Sequence, residues 1–353
     1  MSARTRYVLS SLTAGVLVLG ASGAAPAVPQ APGAGPQVVT SPWSADGKVA
    51  TVTCPAGTGL VGGGAEARYR VNGVNQVGDD LEANAPDPER ANTWKTQVKK
   101  GKTRAVALCS PGAPVPAVAA SDWSPRGEVA TATCPAGTHL AGGGQDARLV
   151  TNTDGSIRDG VEANAPSPDR PDSWKVQLNQ GQARAFALCS AEAETPTVVA
   201  SDWSPRGEVA SASCPAGTHM VGGGVDARLV KNGFGQVQDA VEANTPDADR
   251  AGTWKTQLKK GQARAFVMCD AKAPAPTVVA SEWSPAGQAA RAVCPAGTEL
   301  AGGGQDARIR TNGLGEPVDG VTANNPDPER AGTWKVQLHH GQARAFAFCL
   351  PAE

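Results

Sequence analysis

An internal repeat with a period of 80 residues is the feature that most constrains what this chain can fold into. The cysteines recur in two sets at this period, which are Cys54, Cys134, Cys214 and Cys294, and Cys109, Cys189, Cys269 and Cys349. The tryptophans recur in the same register, as Trp43, Trp123, Trp203 and Trp283, and as Trp94, Trp174, Trp254 and Trp334. Because self-similarity at a fixed period marks tandem structural units, the sequence predicts four copies of one small module.

Segments rich in Pro and Ala separate the copies and set the domain boundaries. The first reads Ser-Pro-Gly-Ala-Pro-Val-Pro from residue 110, and similar segments occupy residues 191–196 and 271–276. Chains of this composition tend to be extended, semi-rigid spacers. We therefore assign module 1 to residues 37–110, module 2 to 118–190, module 3 to 198–270 and module 4 to 278–350.

The segment before module 1 has the pattern of a secretory signal peptide. Arg4 and Arg6 precede an apolar stretch over residues 7–20, and small residues end at Ala25-Pro26-Ala27. This order predicts a signal peptide over residues 1–27, with a disordered leader over 28–36. A membrane anchor is disfavoured because the apolar stretch is short for a span and rich in Ser, Gly and Thr. We expect an extracellular, secreted, monomeric chain with no membrane span after cleavage.

Apolar and polar residues alternate with a period of two inside each module. Residues 128–134 and 174–178 show this alternation, which is typical of β-strands. Residues Gly142-Gly-Gly144 interrupt another such run, which indicates a bulge or a close backbone approach, with an anion-binding nest as the alternative. The pattern predicts an all-β fold of four tandem small antiparallel β-sandwich or barrel-like modules, each of five or six strands, joined by Pro/Ala-rich linkers.

Two cysteines in each copy suit a small secreted domain that needs a covalent staple. A module of roughly 70 residues has a thin core, worth only about 3–5 kcal/mol, and secreted domains of this size use disulfides. Two regular pairings are open, one within each module and one across neighbouring modules that leaves Cys54 and Cys349 without partners. We favour the pairing within modules, which gives Cys54–Cys109, Cys134–Cys189, Cys214–Cys269 and Cys294–Cys349.

The same residues resemble a known kind of module. Cys134-Pro-Ala-Gly followed by Gly142-Gly-Gly144, a late Trp174 and a closing Ala-Leu-Cys189 is similar to a small module of secreted bacterial proteins, often actinobacterial. The resemblance covers most of every copy and implies the fold and an extracellular location. It implies no chemical activity.

Charge and histidine content disfavour several functional classes. The formal net charge is −1, from 32 Lys and Arg against 33 Asp and Glu, and no basic stripe indicates nucleic-acid binding. The four histidines are His139, His219, His339 and His340, and no one position carries histidine in all four copies. Because the cysteines are assigned to disulfides and no catalytic motif is visible, we predict no enzyme, no cofactor and no metal.

Acidic and arginine residues recur near each other in every module. These are Asp79, Asp159, Asp239 and Asp319, and Arg68, Arg148, Arg228 and Arg308. We interpret them as a structural ion network in preference to two alternatives. Paired carboxylates are also the chemistry of glycoside hydrolysis, and the glycine-aspartate pattern weakly suggests calcium.

The two sets of tryptophans have different expected roles. Trp94 and its copies alternate with apolar residues, so we assign them to the core. Trp43, Trp123, Trp203 and Trp283 precede a glycine turn, where they either cap the core or present a flat face to a sugar ring. We hypothesise a non-catalytic, multivalent binder of a polysaccharide or cell-wall glycan. The alternatives are a structural or spacer array of the cell envelope and a proteinase inhibitor.

Overall fold

The computed structural model describes residues 35–153, 155 and 157–352. The predicted signal peptide and most of the predicted leader lie outside the described residues. Within that part of the chain, the regular elements are all β-strands, so the predicted all-β class is confirmed. The same residues contain no helix long and apolar enough to cross a membrane.

Each module contributes six strands in the same order. Module 1 contains β1 (Gln37–Thr40), β2 (Ala50–Thr53), β3 (Thr58–Arg68), β4 (Leu81–Pro86), β5 (Thr93–Val98) and β6 (Lys102–Pro111). Module 2 contains β7 (Ala117–Ala120), β8 (Ala130–Thr133), β9 (His139–Arg148), β10 (Val161–Pro166), β11 (Ser173–Leu178) and β12 (Gln182–Ser190). Module 3 contains β13 (Thr197–Ala200), β14 (Val209–Ser213), β15 (His219–Arg228), β16 (Val241–Pro246), β17 (Thr253–Leu258) and β18 (Gln262–Asp270). Module 4 contains β19 (Thr277–Ala280), β20 (Ala290–Val293), β21 (Thr298–Arg308), β22 (Val321–Pro326), β23 (Thr333–Leu338) and β24 (Gln342–Pro351).

The six strands of a module divide into two antiparallel half-sheets. In module 1 the leading half-sheet has the order β1-β6-β3 and the trailing half-sheet has the order β2-β5-β4. The two half-sheets of a module pack face to face, so each module is a small sandwich. Alternation explains this, because in β8 Ala130 and Ala132 point into the core while Thr131 and Thr133 do not.

Hydrogen bonding continues from one module into the next. The trailing half-sheet of each module joins the leading half-sheet of its successor in a six-stranded sheet, as in β2-β5-β4-β9-β12-β7. The trailing half-sheet of module 4 joins the leading half-sheet of module 1 in the same way, in the order β20-β23-β22-β3-β6-β1. The four sheets are therefore four blades of a closed ring, and every module belongs to two blades.

The seams between half-sheets are short strand pairings that recur around the ring. At the seam of modules 1 and 2, Asn84 of β4 lies opposite Gln145 of β9, and Ala83 lies opposite Asp146. Equivalent pairs join β10 to β15, β16 to β21 and β22 to β3. We refer to the first three as the internal seams and to the β22–β3 pairing as the closing seam.

A disulfide crosses the core of every module between its two half-sheets. The bonds are Cys54–Cys109, Cys134–Cys189, Cys214–Cys269 and Cys294–Cys349, each with a sequence separation of 55. Closing a loop of this length stabilises the fold by about 4 kcal/mol in the chain-entropy account. Because the half-sheets belong to different blades, each disulfide also links two neighbouring blades covalently.

Two of the three consecutive glycines in each module allow close packing that no other residue would permit. A Cβ on Gly143 would lie 2.3 Å from Cδ2 of Trp174, and a Cβ on Gly144 would lie 2.4 Å from the carbonyl oxygen of Asn84 in the preceding module. The ladder between β9 and β12 also shifts register beside them, after Leu140. The glycines thus let the tryptophan and the neighbouring blade approach the strand.

Candidate functional site

A layer of tryptophan–asparagine hydrogen bonds crosses the axis of the ring. The buried indole Nε1 of Trp94 donates to Oδ1 of Asn84 at 2.9 Å, within one module. The same bond recurs at 2.7–2.8 Å in the other modules, between Trp174 and Asn164, Trp254 and Asn244, and Trp334 and Asn324. Each asparagine oxygen therefore already accepts one hydrogen bond, and its amide nitrogen has no acceptor among the described residues.

Two cavities lie on opposite sides of this layer. A polar cavity of about 630 Å³ is lined by the four asparagines and by equivalent residues from every module. A smaller apolar cavity of about 180 Å³ is lined by the four buried tryptophans and by glycines such as Gly62 and Gly63. Because all four modules contribute matching residues to both, the cavities lie on the pseudo-fourfold axis. We call Trp94, Trp174, Trp254 and Trp334 the axial tryptophans.

Next to the asparagines, the lining of the polar cavity alternates between modules. Modules 2 and 4 place Gln145 and Gln305 there, whereas modules 1 and 3 place Ala65 and Val225. Modules 2 and 4 share no seam, so the two glutamines face each other across the axis. The lining therefore has approximate twofold symmetry, although the backbone repeats four times.

The recurring aspartates also line the polar cavity, but backbone amides already bind them. Asp159 accepts hydrogen bonds from the backbone nitrogens of Gly160 at 3.0 Å, Gln180 at 2.9 Å and Val150 at 3.2 Å. Asp79, Asp239 and Asp319 bind the equivalent amides. These carboxylates hold two turns together, and neither a hydrogen bond nor an ion pair joins the side chain of Arg148 to Asp159.

Module 1 adds a further carboxyl group to this cavity. Burial raises the pKa of Asp80 to about 6, a hydrogen bond from the amide of Leu81 opposes the rise, and the charge of Asp79 adds to it. The equivalent positions in the other modules are Gly160, Ala240 and Gly320. The feature is specific to module 1 and breaks the repeat.

The arginines that were expected to pair with these aspartates stack on tryptophans instead. The guanidinium carbon of Arg148 lies 4.0 Å from the ring centroid of Trp123, within cation–π distance. Arg68, Arg228 and Arg308 lie 4.1 Å from Trp43, Trp203 and Trp283. The structure thus brings the two predicted sets together as four Trp–Arg stacks, and it does not bring the arginines to the aspartates.

Each Trp–Arg stack sits beside an edge strand of its blade. Trp123 follows edge strand β7 and is half-buried, so part of its surface remains accessible. In module 2 the stacked arginine also donates to Oε1 of Gln182 at 3.2 Å, and Gln262 and Gln342 accept the same bond in modules 3 and 4. In module 1 Lys102 occupies this position. We call Trp43, Trp123, Trp203 and Trp283 the edge tryptophans.

One histidine cluster superficially suggests nucleophilic catalysis. Nδ1 of His139 lies 2.9 Å from Oγ1 of Thr195 and 3.1 Å from a carboxylate oxygen of Asp172. A triad needs one ring nitrogen for the nucleophile and the other for the carboxylate, whereas here the same nitrogen serves both. In the described part of the chain, no group of three or more His, Cys, Asp or Glu side chains is arranged to hold a metal.

Sequence reasoning did not identify the axial asparagines or glutamines. The asparagines recur in all four copies and carried no motif, so nothing distinguished them from other repeated positions. The glutamines had a usable signal, because the residue after the third glycine reads Ala65, Gln145, Val225 and Gln305. Neither a protein-family model nor a curated protein matches the chain, so its function has to be argued from this geometry.

Proposed function

We propose that the protein is a non-catalytic, multivalent binder of an extracellular polysaccharide or cell-wall glycan. The observation that carries the proposal is the recurrence of one half-buried Trp–Arg stack in each of the four modules. An indole ring supplies a large rigid contact area, and a planar guanidinium supplies several hydrogen-bond donors. A sugar requires both, because its ring faces are apolar and its edges carry hydroxyl groups.

The stacks restrict how a glycan can bind. The guanidinium covers one face of each edge tryptophan, so a sugar would contact the remaining surface of the indole and the outer N–H groups of the arginine. In modules 2 to 4 the arginine is held on two sides, by the ring and by a glutamine such as Gln182. This reduces the entropy lost on binding, since the donors are already oriented.

The extracellular location is part of the proposal. Four disulfides suit an oxidising compartment, and the resemblance of each copy to a module of secreted bacterial proteins agrees with it. The signal peptide over residues 1–27 remains a prediction, which the mass of the secreted chain would test. A mature N-terminus near Ala27 is expected, and an intact Met1 would contradict secretion by this signal.

A proteinase inhibitor is the second candidate, favoured by one observation. Phe234 and Leu314 stand at hairpin tips and are 83% and 82% exposed, as the anchor residue of an inhibitor would be. Inhibition of a serine proteinase that is lost in Phe234→Ala would support it. A spacer array is less suited to this fold, because a ring that closes on itself does not extend with copy number.

The glycan proposal is tested on the full chain by removing edge tryptophans one at a time. Multivalent contact with a repeating polymer can exceed single-site affinity by about 10²–10⁴, so retention on an insoluble glycan should fall steeply with each Trp→Ala change. Phe234→Ala, which removes an exposed aromatic outside the stacks, is the matched control and should bind normally.

The panel comprises cellulose, chitin and peptidoglycan, with circular dichroism to verify folding. Retention of the parent chain and loss in the fourfold tryptophan variant are expected. Equal retention of the parent and the fourfold variant would refute the role of the stacks. Failure of every glycan to retain the parent would refute the glycan as target.

A further inference from the structure

The two glutamines of the polar axial cavity are buried without protein partners. Gln145 and Gln305 are only 7% and 8% exposed. Among the hydrogen bonds of the described residues, none involves either side-chain amide. Both side chains line the cavity. Their unused donors and acceptors therefore face space that a ligand can occupy.

The four asparagines that form the floor of the same cavity add amide N–H donors. Asn84 and its three equivalents already use their amide oxygens to bind the axial tryptophans. Their amide nitrogens have no acceptor among the described residues. A ligand on the axis thus meets amide donors from the four asparagines, and both donors and acceptors from the two glutamines.

Charge limits the class of ligand. The described lining contains six carboxylate residues and no Lys or Arg, so it repels anions such as phosphates and uronic acids. The four recurring aspartates are already bound by backbone amides. Glu316 accepts hydrogen bonds from Gln238 and Asn312, and Asp80 accepts one from the amide of Leu81. The lining groups that lack any partner among the described residues, the amide nitrogens of the asparagines and the amides of the two glutamines, are uncharged and match hydroxyl and amide groups better than ions.

The twofold alternation of the lining matches the shape of a sugar ring. Gln145 and Gln305 are polar and face each other across the axis, while Ala65 and Val225 are apolar and face each other along the other diagonal. A pyranose has hydroxyl groups around its edge and C–H groups on its two faces. A ring that stands between Ala65 and Val225 would direct its edge hydroxyls toward the two glutamines.

We infer that the polar axial cavity is a binding site, one per chain, for an uncharged saccharide of one or two sugar units. Its volume of about 630 Å³ lies in the range of small-ligand pockets. The site is separate from the four Trp–Arg stacks and does not depend on their role. It also explains why modules 2 and 4 differ from modules 1 and 3 at this position.

The test is calorimetric titration of the full chain with soluble disaccharides. Cellobiose and N,N′-diacetylchitobiose are the neutral probes, fully deacetylated chitobiose is the cationic probe, and digalacturonic acid is the anionic probe. We expect one neutral disaccharide to bind with a stoichiometry of one. The four axial indole N–H signals should shift in the nitrogen–proton spectrum, since these groups bind the asparagine floor.

The chain itself supplies the variant. Gln145→Val with Gln305→Ala places the residues of modules 3 and 1 in modules 2 and 4, so the fold should be kept, and affinity should fall at least about tenfold. The fourfold edge-tryptophan variant is the control and should bind the disaccharide normally. A stoichiometry of four that is lost in that control would assign binding to the stacks and overturn the inference.

Two further results would also overturn it. Tighter binding of the deacetylated, cationic probe than of the neutral probes would show that the carboxylates determine recognition. Absence of binding of both neutral probes at millimolar concentration, with no shift of the axial indole signals, would show that the cavity is not a saccharide site.

Discussion

The closing seam and the three internal seams have the same backbone pairing but different side chains. At the internal seams a lysine pairs with an aspartate of the next module, as in Lys95–Asp146 at 2.7 Å, and the ammonium group lies over a phenylalanine such as Phe186 at 4.2 Å. At the closing seam the acid is Glu66, which binds both Lys335 and Arg104. Val106 replaces the phenylalanine there.

The two kinds of seam shift the pKa of their carboxyl groups in opposite directions. Burial raises the pKa of Asp146, Asp226 and Asp306 by more than the neighbouring lysines lower it. Burial also raises the pKa of Glu66, but hydrogen bonds from Arg104 and Lys335, together with their charges, bring it below its usual value. The environment of the closing seam therefore favours the charged form of Glu66, whereas the environment of the internal seams disfavours the charged form of their aspartates.

One further contact is specific to the closing seam. Tyr69 of module 1 donates to the carbonyl oxygen of Val321 in module 4 at 2.9 Å, where the other modules have Leu or Ile. The contact of His340 with the carbonyl oxygen of Asn75 at 2.8 Å is not specific to this seam. At the internal seams the equivalent side chains of Lys100, Gln180 and Lys260 bind the equivalent carbonyl oxygens. A peptide linker holds modules together at the internal seams and is missing at the closing seam. The closing seam thus carries one additional hydrogen bond, from Tyr69, where no linker assists.

Deletion of residues 271–353, which contain the last linker and module 4, is the change with the largest expected effect. The deletion leaves β3 and β16 without their seam partners, and it removes the core in which Leu108 of module 1 is buried. Exposed strand edges of this kind invite association with other chains. We expect the remaining three modules to lose cooperative unfolding as a monomer, measured by urea denaturation and size-exclusion chromatography.

The deletion distinguishes a ring from a row of independent modules. In a row, the remaining modules would be monomeric and would melt at the temperature of the full chain. That outcome would mean that the seams contribute little and that each sandwich with its disulfide is sufficient.

Removal of the carboxylate at the closing seam comes next. Glu66→Gln leaves Lys335 buried without a negative partner, and breaking a buried pair of this kind costs about 3–5 kcal/mol. The matched change Asp306→Asn affects Lys255 at a longer distance of 3.6 Å and in a more exposed site. We expect it to cost less than Glu66→Gln, because burial already disfavours the charged form of Asp306. Urea unfolding of both variants measures the difference, and equal losses would contradict a distinct closing seam.

The module was predictable from the sequence because its signals are local. The 80-residue period located the copies, and two cysteines per copy in one register indicated the pairing within modules. The alternation around Trp174 indicated its burial, because side-chain direction along a strand follows from the period of two. The order of residues along the chain specifies these features directly, including which face of a strand is apolar.

The ring and the axial cavity were not predictable by the same means. Asn84 and Gln145 are paired at a seam, but alternation specifies only the faces of a strand and not the partner at its edge. The hydrogen bonds that join modules are made by the backbone, which is the same for every residue type. The cavity exists only when four such seams bring equivalent residues to one axis, so no single copy reveals it.

Loss of one hydrogen bond at the closing seam should have a smaller effect. Tyr69→Phe removes the bond to the carbonyl oxygen of Val321 and leaves the ring packed against Gly320. The expected loss is about 1 kcal/mol, with faster amide exchange in β22 than in the equivalent strand β16. Tyr69→Leu introduces the residue of modules 2 and 3 and should destabilise further, because the ring is also lost. A Tyr69→Phe variant as stable as the parent would show that this bond does not help close the ring.

The smallest expected effect is a pH dependence of stability at the closing seam. It arises from His339, which titrates at a higher pH than Glu66. Burial, together with the charge of His340, lowers the pKa of His339 from its usual 6.5, while Asp319 opposes the shift. A histidine whose pKa is lower in the folded state stabilises the fold above its unfolded pKa and loses that contribution as pH falls through the folded value. His339→Asn introduces the residue of module 2 and should therefore reduce the fall in melting temperature between pH 7.5 and pH 5.

His219→Gln, a change remote from the closing seam, is the control and should leave that fall in melting temperature unchanged. If His339→Asn also leaves it unchanged, the acid sensitivity of the ring lies elsewhere and the closing seam differs from the internal seams through Glu66 and Tyr69 alone.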